Sequence, residues 1–144
     1  MTLQFAKLVP RGKVYSFEPT HYALERLQRN LDLNKILAER IVVINSFISD
    51  KTETNANIVA FSSWKVNGET DTANHPVHLG TPKSTQGVPS TRLDDFVIEN
   101  NLSKINFIKI DTDGNEYEVF NGAVETIKKY RPFSVFEIVL YVLE

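Results

Sequence analysis

Two spacings of apolar residues alternate along this chain, one suited to helices and one to buried strands. Residues 2–9, TLQFAKLV, carry Leu3, Phe5, Ala6, Leu8 and Val9, and predict the end of a helix closed by Pro10 and Gly12. KVYSF (13–17) is a short β-branched and aromatic run, hence a strand. In THYALERLQRNLDLN (20–34) Leu24, Leu27 and Leu31 fall on one helical face, with Thr20 placed to cap it. IVVI (41–44), INFIKI (105–110) and FSVFEIVLYV (133–142) show little or no polar alternation, as strands buried on both faces do. Between the last two, Val119, Phe120, Ala123, Val124 and Ile127 give a helical stripe over about residues 115–129.

The order helix, strand, helix, strand, irregular middle, strand, helix, strand is that of an α/β domain. Its sheet should be mostly parallel, with right-handed crossovers. The middle, about 51–90, is rich in Asn, Thr, Ser, Gly and Pro and holds one apolar run, NIVAFSSW (57–64). It reads as a surface insertion carrying a short strand or hairpin. The remainder of residues 1–144 reads as a single domain, and no internal repeat is present.

Composition removes several function classes. At 144 residues the chain suffices for one core, and 42% apolar with 24% charged residues is the mix of a soluble globular protein. A net charge of −2 gives no field favouring nucleic acid or an anionic membrane. The absence of cysteine excludes disulfides and thiolate-bound zinc. The N-terminus lacks a signal-peptide pattern and the longest apolar run is too short to span a bilayer, so the expected location is the cytoplasm.

In open α/β sheets ligands bind beyond the carboxyl ends of the strands, so what each strand ends in matters. The first ends in Glu18-Pro19, the second in Asn45-Ser46, the third in Asp111, and the last contains Glu137. An acid in the place of Glu18 can accept two hydrogen bonds from ribose hydroxyls, or be only a solvated turn residue. Asn45 and Ser46 are placed to meet an adenine edge, or to form a simple turn. FIKIDTDGNE (107–116) sets three carboxylates at a strand end. A calcium loop counted from Asp111 would need glycine sixth and glutamate twelfth, but finds Glu116 and Gly122, so that reading fails. A DxD pair of Asp111 and Asp113, of the kind that holds a metal and a diphosphate in nucleotide-sugar glycosyltransferases, survives. Against it, Asp113 and Glu116 also suit the positive end of the next helix. Asp111 closes an apolar strand, where a charge is costly without a purpose. His75 and His78 in HPVH read as exposed loop histidines, and Trp64 as an anchor for the insertion.

Taken in order, KVYSFEPTHYALERLQRNLDLN, VVINSFISDKTET, STRLDDF, INFIKIDTDGNEYEVFNGA and RPFSVFEI resemble the blocks of the FkbM family. These are Rossmann-like methyltransferases dependent on S-adenosylmethionine, which mostly methylate hydroxyls of sugars and natural products. The resemblance implies that Glu18, followed by Pro19, holds the cofactor ribose and that the Asn45, Ser46 and Phe47 turn lines its adenine. It implies that Asp111 faces the methyl-transfer site and contacts the cofactor. Glu137 matches an acid on the next strand, and both are candidate catalytic residues. Asp113, Gly114 and Glu116 match an acid-glycine-x-glutamate block with a substrate-binding or structural role. No metal is expected.

The family's first strand and glycine-rich loop have no counterpart, and its last strands are also missing. The ribose acid lies about 20 residues after that loop in such folds, and no glycine precedes Gly12. Because that strand occupies the sheet centre, between those ending in Glu18 and Asp111, two apolar strands are expected to lack a neighbour. That favours self-association and weakens the hold on the cofactor. Three readings follow: a truncated methyltransferase domain acting on a hydroxyl acceptor, a metal-dependent glycosyltransferase, and a non-catalytic remnant serving as an interaction module.

Overall fold

The computed structural model describes residues 1–56, 58–62, 81–83, 85–112 and 114–137. Its elements run α1 (Thr2–Leu8), β1 (Val14–Phe17), α2 (His21–Asp32), α3 (Lys35–Ala38), β2 (Ile41–Ile44), β3 (Phe47–Ile48), β4 (Ala60–Ser62) and β5 (Thr81–Lys83). They continue β6 (Ser90–Thr91), α4 (Leu93–Glu99), β7 (Phe107–Ile110), α5 (Glu116–Asn121), α6 (Val124–Tyr130) and β8 (Phe133–Phe136). The strands form four pairs: β1–β2, β3–β6 and β7–β8 are parallel, and β4–β5 is antiparallel.

The two principal pairs are not joined. β1 and β7 share no hydrogen bonds. In β1–β2 the amides of Val14 and Glu18 donate to Arg40 and Ile44. Backbone direction alternates along a strand, so the Tyr15 and Phe17 amides point away from β2. The same argument, from Phe133 and Glu137 donating to Asn106 and Ile110, turns the Phe107 and Lys109 amides away from β8.

Side chains hold the pairs together instead. The Ser16 hydroxyl meets that of Thr2 on α1 at 3.1 Å, while Tyr15 and Phe17, on the opposite face of β1, pack edge-on against Phe96 of α4. Helices α1 and α4 therefore lie on opposite faces of β1. From there α1 reaches β7 through Phe5 and Phe107, whose ring centroids are 5.1 Å apart. Phe120 of α5 packs on Phe136 of β8 at 5.1 Å. A small core of Phe47, Ala56 and Val88, flanked by Ile58 and Ala60, ties the start of the middle region to its end.

Several expectations change. The single helix over 115–129 is two, α5 and α6, broken at Gly122-Ala123. The break is a packing requirement: a Cβ on Gly122 would stand 1.9 Å from the Ser49 carbonyl oxygen, and the Gly122 carbonyl accepts the Asp94 amide at 2.9 Å. The sequence pattern also gave no sign of α3, α4 or the β3–β6 pair. Thr20 is the N-cap of α2 by position, but its hydroxyl turns back to Glu18 rather than onto the helix. The strand over 133–142, expected to be buried on both faces, is exposed where described: Phe133 is 84% accessible, and among the described residues β8 pairs with β7 alone. Within the middle region, the short strand is β4, paired to β5. Trp64, His75, His78 and Asp113 lie outside the described residues.

Candidate functional site

The carboxyl end of β1 is built around Glu18. One carboxylate oxygen, Oε1, accepts the Thr20 amide at 2.9 Å and the Thr20 hydroxyl at 2.6 Å. The proline between them has no amide to offer, so the acid bridges a position the backbone cannot. Oε2 has no protein partner among the described residues. From the end of β2, Asn45 donates its amide to the carbonyls of Glu18 and Pro19, at 3.0 and 3.2 Å. The two strand ends are thus clamped together, and the exposed Asn45 retains its own carbonyl oxygen as an acceptor. Its neighbours turn inward. Ser46 is buried and donates to the carbonyls of Phe47 and Pro89, and Phe47 belongs to the core.

The second half of the site lies at the ends of β7 and β8. The pairing register sets Ile110 opposite Phe136, so Asp111 and Glu137 come next, side by side, and their carboxyls lie within hydrogen-bonding reach. Asp111 forms an ion pair with Lys109, two positions earlier on the same face of β7. The Lys109 ammonium holds the Asp111 carboxyl below the usual aspartate range, against a smaller upward push from partial burial.

Glu116 has a different task from its neighbours. Its Oε1 accepts the Thr112 amide, the Thr112 hydroxyl and the Gly114 amide at 3.0, 2.9 and 3.2 Å. Burial raises its pKa, but these bonds together outweigh that and leave the carboxyl below its usual range. The residue expected to cap the following helix therefore folds the loop before it. Gly114 takes φ = 108° in that loop, a conformation suited to glycine.

Two further charged residues shape this geometry, Lys109 and Asp94. Lys109 looked like one polar residue in an apolar strand; its place two residues before Asp111 was the available signal. Asp94 stood only in a matched block. It is 5% exposed and accepts the amides of Glu125 and Thr126, at 3.2 and 2.7 Å, at the start of α6. The N-cap position there is Ala123, which has no side-chain acceptor, so Asp94 caps α6 from another helix.

Chemically, the arrangement offers a carboxylate with one free oxygen beside a clamped turn, and a pair of carboxyls steered by a lysine. No group of three or more His, Cys, Asp or Glu that could hold a metal stands together among the described residues. The described residues contain no helix long and apolar enough to cross a membrane. Glu18 Oε2 and the Asn45 carbonyl fit the hydroxyl and amine groups of a nucleoside. The Ser46 and Phe47 side chains are committed to the protein's own structure.

A family model described as the Methyltransferase FkbM domain matches residues 2–140. With it, the expected Rossmann-like α/β class is shown: short parallel strand pairs alternate with helices. No curated protein gave a match. No solved structure gave one either.

Proposed function

The chain belongs to the FkbM methyltransferase family, and from that premise we propose that it is an S-adenosylmethionine-dependent O-methyltransferase domain acting on a sugar or natural-product hydroxyl. The observation that carries the reading is the distribution of polar groups over the strand ends. A carboxylate and an amide suited to a nucleoside close β1 and β2, and a carboxyl pair suited to proton transfer closes β7 and β8.

The cofactor supplies an electrophilic methyl group. Glu18 would hold its ribose through Oε2 while Oε1 keeps the Thr20 turn, and Asn45 would offer its carbonyl to the adenine amine. Asp111 orients the acceptor hydroxyl and takes its proton as the oxygen is methylated, so the O–H bond breaks toward a carboxylate already held as an anion. Glu137 borders the same position. Glu116 shapes the loop between Asp111 and α5. The DxD alternative gains no support from the described residues, where Asp111 is paired with a lysine.

The proposal includes a cytoplasmic setting and a small hydroxyl acceptor, without nucleic-acid or membrane partners. Self-association belongs to it as well, supported by the edges of β1 and β7 that no strand among the described residues pairs. The test is transfer of a labelled methyl group from S-adenosylmethionine to a panel of sugars and polyhydroxylated natural products. Label on a hydroxyl oxygen, lost in Asp111→Asn, is expected. Label on nitrogen or carbon, or label unaffected by Asp111→Asn, would overturn the assignment.

A further inference from the structure

Strand β8 carries the most exposed apolar side chains of any strand among the described residues, and its outer edge is paired by no described strand. We propose that this edge is the contact between two copies of the chain, β8 of one pairing antiparallel with β8 of the other about a twofold axis at Ser134. The self-association of the proposed function is thereby placed at one definite surface. The inference stands apart from the methyltransferase reading.

The backbone decides which groups are open. Phe133 and Glu137 donate their amides to the Asn106 and Ile110 carbonyls, so the amides and carbonyls of Ser134 and Phe136 point the other way. Edges left open in monomers are ordinarily blunted by a charge, a proline or a bulge. No β8 residue is charged or a proline, and the register with β7 runs without a bulge. Pro132 stands just before the strand, where it limits pairing rather than preventing it. On one face Phe133 is 84% and Val135 52% exposed, and Phe107, opposite Phe133 in the register, is 43% exposed. The edges of β1 and β7 are less accessible. Helix α1 packs on both of those strands, through Thr2 and Phe5, and every residue of β1 is half-buried.

A second copy complements this edge in backbone, side chains and charge. With the axis at Ser134, the two Ser134 residues face each other and exchange backbone hydrogen bonds, and the Phe136 amide of each copy meets the Pro132 carbonyl of the other. Phe133 then lies opposite Val135 of the second copy, and the symmetry repeats the contact. Aromatic and β-branched pairs of this kind stabilise antiparallel sheets. The polarity of the strand agrees. Arg131 precedes β8 and Glu137 follows it, so antiparallel pairing lays the basic start of each strand against the acidic end of the other. A parallel alignment would set like charges together. Because the same edge serves both copies, the assembly closes as a dimer and does not propagate.

The test uses the full chain. It has no cysteine, so Ser134→Cys introduces a sole thiol. The Cα atoms of a hydrogen-bonded antiparallel pair lie about 5.5 Å apart, within the span of a disulfide. Mild oxidation of Ser134→Cys should therefore yield a covalent dimer, whereas Ile98→Cys, also at an exposed position but on α4, should stay unlinked. Sedimentation equilibrium of the native chain should show monomer and dimer in exchange. Phe133→Lys should weaken the dimer by about tenfold or more, since two cross-strand pairs are lost. At so exposed a position it should leave the melting temperature of the monomer unchanged. A native chain that is monomeric at every concentration would overturn the proposal. So would a dimer unmoved by Phe133→Lys, or one that Ile98→Cys links as readily as Ser134→Cys.

Discussion

Removing the Asp94 carboxylate is the sharpest mutational test of how the two halves of the chain are joined. Asp94→Ala takes away the acceptor for two amides at the start of α6, and Ala123 cannot replace it. Loss of a helix cap costs about 1 kcal/mol, within a range of roughly 0.5–2. The Thr126 amide, on a residue 3% exposed, is then left without a partner, at about 1–3 kcal/mol. These two terms describe partly the same bonds, so about 2–3 kcal/mol is the expected total. Arg92 also loses its 3.3 Å partner, but at 36% exposure it can turn to water. Urea unfolding should show a lower midpoint with an unchanged slope. Asp94→Asn keeps the shape and one acceptor oxygen and should cost about 1 kcal/mol. Asp95→Ala, next in the chain but bound to Thr52 and Arg92 nearer the surface, should cost less than about 1 kcal/mol. Asp94 is not the cap of α6 if Asp94→Ala lies within about 0.5 kcal/mol of the native protein, or if Asp95→Ala is the worse of the two.

Further outcomes follow from the same geometry. Gly122→Ala should destabilise by about 1–3 kcal/mol or more, because the Ser49 carbonyl is backbone and cannot step aside. Gly12→Ala meets only Val9 at 3.5 Å and should fall within about 0.5 kcal/mol, both read by denaturant unfolding. In hydrogen exchange, the amides of Tyr15, Phe17, Phe107 and Lys109 should exchange faster than those of Ser16 and Val135, which face a partner strand; equal protection would show that another strand covers those edges. Glu116 titrates below its ordinary value of 4.5, so its contribution is fully present above that value and is lost as pH falls through the lowered one. The stability gap between native protein and Glu116→Gln should accordingly be widest near neutrality and close below pH 4.5; a gap that grows on acidification would contradict the hydrogen-bond account.

The elements legible in the sequence were those that local pattern determines. α1, β1, α2, β2 and β7 lie within a residue or two of their expected limits, because each carries a local apolar stripe or a mainly apolar run. The helix of 116–130 had its stripe, but the break at Gly122 did not, since it depends on the Ser49 carbonyl more than seventy residues earlier in the chain. Helix α4 escaped notice for a related reason. It caps α6 and packs on β1, and both of those partners lie far from it in the sequence. At the strand ends the sequence offered Glu18, Asn45, Ser46, Asp111 and Glu137, and the register of β7 and β8 sets the last two side by side. What each side chain does was not legible. Glu116 suited a helix cap and anchors the preceding loop, and the Ser46 hydroxyl and Phe47 ring are buried. Those distinctions depend on which backbone groups lie within 3 Å, and sequence spacing does not encode that.

On the proposed function, Glu18 is the residue that would hold the nucleoside part of the cofactor. Calorimetric titration with S-adenosylhomocysteine tests it most directly, comparing the native chain with Glu18→Gln, which retains an oxygen for the Thr20 turn but not the charge. Saturable one-to-one binding, weakened about tenfold or more in Glu18→Gln at unchanged melting temperature, is the predicted result. No heat from the folded native chain, or equal binding by both proteins, would contradict it.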